Sequence, residues 1–352
     1  MSALTAHRVS SALMMAVMTA LIKPAWAISE TSYADDYRRL VLPYYETGIT
    51  SSFVGVAGAK ISYRVFDRGP DTPAVIVLPG YSEPYRKYAE WIYDLGSRGY
   101  SIYIMDHRGQ GASDRLTPLH DLGHVASFND FVTDLETFMS TVVLARHHTR
   151  LHLLAHSMGG AIATLYLAKH PGVVASAVLS APMFEINTGG TPEAVAYYFS
   201  MWKAFIGHGW DPIDGPDKYQ FDPAATMEQM QLMSSAVRWA ASREIIRDDP
   251  RLALGGVSYG WLYAALKATS AIETLGAAVE TPIVIFKAGR DSTVRTEKYD
   301  RFCSFKPTTC TVASAPFADA RHEILQERDA IRDEALALVL RQFAFAPRRG
   351  AP

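Results

Sequence analysis

The sequence predicts an α/β fold: a mainly parallel β-sheet covered by helices on both faces and interrupted late in the chain by a helical insertion. Three observations lead there. Unbroken apolar runs of strand length alternate with helical patterns, as in parallel sheets buried on both sides. The stretch LHLLAHSMGGAIATLYLAKHP, residues 151–171, is a strand that turns abruptly into a helix at His156-Ser157-Met158. The alternation then fails between residues 182 and 279, where the pattern becomes mostly helical and dense in large apolar side chains.

In chain order, residues 1–27 read as an export signal. Arg8 supplies a positive start, residues 9–22 an apolar-rich run too short to span a bilayer comfortably, and Ala25-Trp26-Ala27 an A-x-A cleavage site. No cysteine follows that run to take a lipid anchor. The expected location is therefore outside the inner membrane, in the periplasm, with peripheral contact to a membrane surface left open. An arm (28–52) leads to two strands, 53–57 and 61–66, joined near Gly58 as a hairpin. A buried strand at 74–78 is followed by the loop Pro79-Gly80-Tyr81-Ser82-Glu83 and a helix over 85–97. The next strand, 101–105, leads into the loop Asp106-His107-Arg108-Gly109-Gln110-Gly111. A helix at 128–144 follows from the spacing of Phe131, Leu135, Phe138 and Val142, then the strand-turn-helix, then a strand at 174–180.

The core is thus expected over 28–181 and 280–346, with 182–279 as a helical lid and 347–352 as a solvated tail. Within the lid, Tyr197, Tyr198, Met201, Trp202 and Phe205 recur at helical spacing. Met227, Met230, Met233 and Val237 make the stripe of a second helix that carries Leu232 and Trp239 on another face. Trp202 and Phe205 are expected to contact substrate. After the lid come a strand at 282–288, a helix around 296–302, a strand near 311–313 and a terminal helix with Ile331, Ala335, Leu338, Val339 and Phe343 on one face.

With 352 residues, 49% apolar and 20% charged, the chain has the composition of a globular enzyme with a large core. Loss of Arg8 and Lys23 with the signal would leave 32 of the 34 basic residues against 36 acidic ones, which gives no support to nucleic-acid binding. The two cysteines, Cys303 and Cys310, are expected to be bridged in an exported chain. Two thiols without suitably spaced histidines do not make a four-ligand zinc site, so no metal is expected.

The chemistry centres on Ser157. Its turn has very small neighbours two residues away on each side, Ala155 and Gly159, the G-x-S-x-G nucleophile elbow with alanine for the first glycine. Gly159, Gly160, Ala161 and Ala163 let the following helix lie close to the sheet, with its positive end toward whatever Ser157 attacks. A serine hydroxyl needs a histidine to take its proton, and the histidine needs a carboxylate to fix its tautomer. Asp291 in AGRDSTV and His322 in FADARHEIL follow later strands in the order serine, acid, histidine. Asp319 is the rival acid, but it shares the loop of the histidine. The oxyanion donors are expected to be the backbone N–H groups of Met158 and Tyr81. Glu83 and the 106–111 loop read as braces, and His156 as a packing or hydrogen-bonding residue.

The strings PGYSEPYRKYAEW, DHRGQGAS, HSMGG, AGRDSTV, ARHEIL and RDDPRLALGGVSYGWL resemble the lysophospholipase and monoacylglycerol lipase branch of the α/β-hydrolase superfamily, also labelled serine aminopeptidase-like. The likeness covers about residues 35–345. PGYSE stands where the glyceride lipases have H-G-x-G-E, and the insertion leans toward bacterial lysophospholipases. The resemblance implies an α/β-hydrolase fold and a cofactor-free serine hydrolase that cleaves carboxylic esters through an acyl-enzyme. The expected substrate is a lysophospholipid. A monoacylglycerol lipase or general carboxylesterase is the alternative, and a non-catalytic lipid-binding α/β-hydrolase the reading from a different class.

Overall fold

The computed structural model describes residues 27–215, 218–306 and 308–345; the expected export signal, apart from Ala27, and the tail lie outside them. Eight strands form one sheet: β1 (Ile49–Val54), β2 (Lys60–Phe66), β3 (Ala74–Leu78), β4 (Ser101–Met105), β5 (Leu151–His156), β6 (Ser176–Ser180), β7 (Ile283–Phe286) and β8 (Cys310–Ala313). Their spatial order is β1-β2-β4-β3-β5-β6-β7-β8. The first two strands pair antiparallel, and every neighbour pair from β4 to β8 is parallel.

Successive side chains of a strand point to opposite faces, and here both faces are covered. Ile76, Leu78, Leu153, Leu179 and Ile285 pack with α2 (Asn129–Phe138), α3 (Met158–Lys169), α6 (Tyr259–Leu275) and α7 (Lys298–Ser304). Val75, Val77, Ile104, Leu154 and Val178 pack with α1 (Ala89–Gly96) and α8 (Asp329–Phe345). The central strands are buried throughout, which explains their unbroken apolar sequences.

The edge departs from expectation. β1 spans Ile49–Val54 instead of 53–57, because ITSSFV is an exposed edge strand whose polar residues hide the alternation that marks a half-buried one. Before it, the expected arm is a run of short helical turns between Glu30 and Glu46. Val56 to Gly58 make the hairpin turn, with Ala57 and Gly58 both at positive φ.

Between β6 and β7 lie α4 (Glu193–Phe205), a single turn at Met227–Met230, α5 (Ala236–Asp248) and α6. The helix expected to carry Met227 through Val237 is broken in two. Thr226 and Gln229 form a capping box at the first turn, Gln231 ends it at φ 52°, and Ser235 caps α5 anew. The stretch 182–279 is also not one body apart from the core, since Ala264, Ala265, Ala268 and Ile272 of α6 sit in the core cluster with α3. Helix α5 is fastened down by charge. Its fully buried Arg238 donates two hydrogen bonds to Glu90 of α1, at 3.0 and 2.9 Å, and one to Asp329 at 3.0 Å. A disulfide joins Cys303 in α7 to Cys310 at the start of β8. Among the described residues, no helix is long and apolar enough to cross a membrane.

Candidate active site

The site lies at the C-terminal ends of the parallel strands, where their loops converge. Ser157 sits between β5 and α3 at φ 50° and ψ −119°, a backbone conformation that costs an L-residue about 1–3 kcal/mol. Surrounding contacts hold it there: its N–H donates to the Ser180 carbonyl at 3.0 Å, and its own carbonyl accepts from Met183 N–H at 2.9 Å. A methyl group at Gly159 would run into the carbonyl oxygens of Leu78 and Pro79, and one at Gly160 into Pro182. The two glycines therefore set how closely α3 approaches the sheet.

Three groups predicted from separate stretches meet. His322 Nε2 is 2.9 Å from Ser157 Oγ, and His322 Nδ1 is 2.8 Å from Asp291 Oδ2. An ionised carboxylate only accepts, so Nδ1 carries the proton and Nε2 presents a lone pair to the serine hydroxyl. The other oxygen of Asp291 accepts from the N–H groups of Thr293 and Val294, at 2.8 and 3.0 Å. Burial alone would raise the Asp291 pKa. The positive charge that His322 can carry, its hydrogen bond and the two backbone donors outweigh burial and hold the carboxyl below its ordinary value. Asp319 is exposed and makes no bond to His322.

The loop carrying His322 is clamped on both sides. Glu323 N–H donates to the Leu232 carbonyl at 2.8 Å, Arg321 donates through Nη1 to the Met233 carbonyl at 3.1 Å, and Arg321 N–H donates to Glu327 at 2.9 Å. Backbone from the insertion thus fixes the histidine loop. Sequence reasoning missed this link, because backbone acceptors leave no residue-type signature.

The other wall is the loop at 79–83. Glu83 is buried and accepts from Gly80 N–H at 2.6 Å, Tyr88 Oη at 2.6 Å, Lys87 Nζ at 2.7 Å and His156 Nδ1 at 2.8 Å. His156 also donates from Nε2 to the His322 carbonyl, 3.3 Å away, and Lys87 pairs with Glu323 at 2.7 Å. From the 106–111 loop, Gln110 donates to the Gly80 carbonyl at 2.8 Å and His107 Nε2 to the Pro79 carbonyl at 3.0 Å. Burial pushes the His107 pKa down to about 4, so its imidazole is neutral. Arg108 in turn is held by both oxygens of Asp134.

Among the described residues, no protein acceptor takes the N–H of Tyr81 or of Met158, the first residue of α3. Met158 follows Ser157 in the chain and Tyr81 lines the same cavity as Ser157, so both N–H groups are candidates for an oxyanion pocket. The Tyr81 hydroxyl donates to the carbonyls of Gly255 and Gly256, at 3.1 and 3.0 Å, which ties this loop to the GGVSYGW segment of the insertion. A Cβ at either glycine would crowd the backbone of Tyr219.

Ser157 and His322 open on a cavity of about 410 Å3. Its apolar wall comes from Phe221, Met230, Leu232, Trp239 and Leu254. Trp202 and Phe205, expected to contact substrate, do not line it. They lie on the outer surface of α4, 51% and 86% exposed, with Val195, Tyr198 and Phe199 beside them. Helical spacing showed that α4 has an apolar face without showing which side of the molecule it takes. Among the described residues no group of three or more His, Cys, Asp or Glu is placed to hold a metal ion.

Comparison with known proteins shows the family. Residues 69–329 match the family model described as serine aminopeptidase, S33. Lysophospholipase L2 of Escherichia coli K12 is 32% identical over 324 residues, covering 90% of this chain and 93% of that one. A monoacylglycerol lipase of Mycolicibacterium smegmatis is 33% identical over 175 residues, covering 49% of this chain and 60% of its own. Among solved structures, a thermostable carboxyl esterase of Bacillus coagulans in complex with glycerol superposes with a TM-score of 0.67 at 19% identity, covering 85% of this chain and 98% of that one. A serine poised on its histidine, a mainly parallel sheet and a match along most of the chain converge: the chain belongs to the serine aminopeptidase S33 family of α/β-hydrolases, on the branch of the lysophospholipase L2 and monoacylglycerol lipase proteins.

Proposed function

We propose that this carboxylic ester hydrolase removes the acyl chain of lysophospholipids, with Ser157 as nucleophile, His322 as general base then acid, Asp291 as its orienter, and the Tyr81 and Met158 N–H groups as oxyanion donors. The observation that carries the reading is Ser157 Oγ, 2.9 Å from His322 Nε2, at the floor of a cavity walled by apolar side chains. The likeness to lysophospholipase L2 along nine-tenths of the chain supports the substrate class.

Ser157 Oγ adds to the ester carbonyl carbon while its proton passes to His322 Nε2. Negative charge develops on the carbonyl oxygen, at the open N–H groups of Tyr81 and Met158. The tetrahedral intermediate collapses, the C–O bond to the glycerol oxygen breaks, and His322 returns the proton to that oxygen. Water then gives its proton to His322 and its oxygen to the acyl carbon, releasing the fatty acid and restoring Ser157.

A tail entering the cavity contributes about 0.8 kcal/mol per methylene buried, a gain short esters lack. An aminopeptidase would need a carboxylate for the substrate amine; of the three that line the cavity, Glu83 and Glu323 share Lys87 at 2.7 Å each and Asp222 is exposed. The segment 182–258 acts in this proposal as the lid. The exposed aromatic face of α4 meets the lipid surface from which substrate is drawn, since Tyr and Trp rings suit the membrane–water boundary. We further propose export through residues 1–27 into the periplasm; the A-x-A site and the disulfide support it.

Purified protein tested against a lysophospholipid, a monoacylglycerol, a short ester and an aminoacyl amide of matched concentration checks the reading. Lysophospholipid should have the highest kcat/KM and the amide none. A fluorophosphonate probe that fails to label Ser157 would instead favour a non-catalytic lipid-binding protein.

A further inference from the structure

The charged side chains lining the Ser157 cavity are not equally occupied. Lys87 is paired with two carboxylates, Glu83 and Glu323, both at 2.7 Å, and His156 is held by Glu83 at 2.8 Å. Arg243, on α5, is different. Its guanidinium lies over the ring of Phe221, 4.1 Å from the centroid, and faces Trp239 at 5.4 Å. One Nη2 hydrogen bond goes to the backbone carbonyl of Asp222. Among the described residues no carboxylate lies within ion-pair distance of it. The Asp222 carboxylate is near enough to be felt but is exposed, and its Oδ1 accepts from Ala224 N–H at 2.8 Å. Arg243 is thus a half-buried cation in the wall of the substrate cavity, fixed by two aromatic rings, with N–H donors left over.

Such an arrangement suits one kind of ligand group. A guanidinium whose faces are covered by rings keeps its edge for hydrogen bonding, and that edge matches two oxygens of a phosphate. The remaining N–H donors gain most from an anion in a site already partly shielded from water. A neutral glycerol offers no such partner. In a lysophospholipid the phosphate and the acyl ester are joined through the glycerol, and Ser157 and Arg243 line one cavity.

We infer that Arg243 is the specificity-determining residue that binds the phosphate of a lysophospholipid head group while the acyl ester lies at Ser157. This rests on the lysophospholipase reading. It adds the group that separates lysophospholipids from monoacylglycerols, which share the ester and the tail.

The test compares wild-type protein, Arg243→Ala and Arg243→Gln on decanoyl lysophosphatidylcholine and monodecanoylglycerol, each below its critical micelle concentration. Gln keeps a donor for the Asp222 carbonyl, so it guards against loss of the loop that Arg243 stacks on. Loss of a charge-assisted bidentate contact should lower the ratio of the two kcat/KM values, phospholipid over glyceride, by about 10- to 100-fold in both variants. An unchanged ratio in the Gln variant, with wild-type protein active on lysophosphatidylcholine, would overturn the assignment and leave the lysophospholipase reading standing. Wild-type protein that hydrolyses the glyceride but not lysophosphatidylcholine would overturn that reading and the assignment with it.

Discussion

The carboxylate of Glu83 lies 2.8 Å from Nδ1 of His156, the residue immediately before Ser157. The pair joins the two walls of the site: Glu83 also holds Gly80 N–H, beside the proposed oxyanion donor Tyr81, and His156 reaches the carbonyl of His322. The motif residue next to the nucleophile is therefore part of a buried frame and has no line to the serine proton. Glu83→Gln should loosen the 79–83 loop and reduce kcat by about 100-fold, the scale of one lost oxyanion donor, with little effect on KM. Steady-state kinetics on a soluble ester check this; a change confined to KM would place Glu83 in substrate binding instead.

The same pair makes stability depend on pH. Burial favours neutral His156, but the charge and hydrogen bond of Glu83, helped by Glu323 and opposed by Lys87, raise its pKa above the ordinary 6.5. Burial likewise favours neutral Glu83, yet Lys87 and His156 hold it well below the ordinary 4.5. A raised histidine adds stability that is complete below 6.5 and is lost as pH rises through its folded value. A depressed carboxylate adds stability that is complete above 4.5 and is lost as pH falls through its folded value. Both contributions are complete between those limits. Urea unfolding of wild type and His156→Asn should differ most in that window and less toward alkaline pH. A difference that grows with pH would contradict the assigned charge state.

Gly159 tests the close approach of α3 to the sheet. Gly159→Ala drives a methyl group against the Leu78 and Pro79 carbonyls, and overpacking of this kind costs about 1–3 kcal/mol. Denaturant titration should show a lowered midpoint, and the displaced elbow a loss of kcat. A variant as stable and active as wild type would mean the turn can relax.

The outer face of α4 gives an independent test of the proposed lipid-surface contact. The double replacement Trp202→Ala and Phe205→Ala should weaken co-sedimentation with anionic phospholipid vesicles while leaving hydrolysis of a soluble short ester intact. Equal vesicle binding by both proteins would remove α4 from the proposal.

Much of the fold was legible because the buried strands β3, β4 and β5 carry unbroken apolar runs, and because Ala155, Gly159 and Gly160 mark a turn that few other residues tolerate. The order of Ser157, Asp291 and His322 along the chain was legible for the same reason: each follows a strand whose end faces the site. Four things were hidden. The edge strand β1 is exposed and polar, so its first residues looked like an arm. The break at Gln231 lies between two local caps that a Met stripe overrides on paper. The outward face of α4 depends on tertiary packing, and aromatic periodicity is identical whether a helix turns Trp202 inward or outward. Arg243 carries no motif; its place in the cavity follows from how α5 is anchored through Arg238 and Glu90.

The most direct test is kcat/KM for lysophosphatidylcholine hydrolysis by wild-type protein and Ser157→Ala, measured below the critical micelle concentration, with Asp291→Asn and Asp319→Asn in parallel. The account predicts efficient turnover by wild type and by Asp319→Asn, a loss of roughly 10⁶-fold in Ser157→Ala and roughly 10⁴-fold in Asp291→Asn. Retained turnover in Ser157→Ala, or an inactive Asp319→Asn beside an active Asp291→Asn, would contradict it.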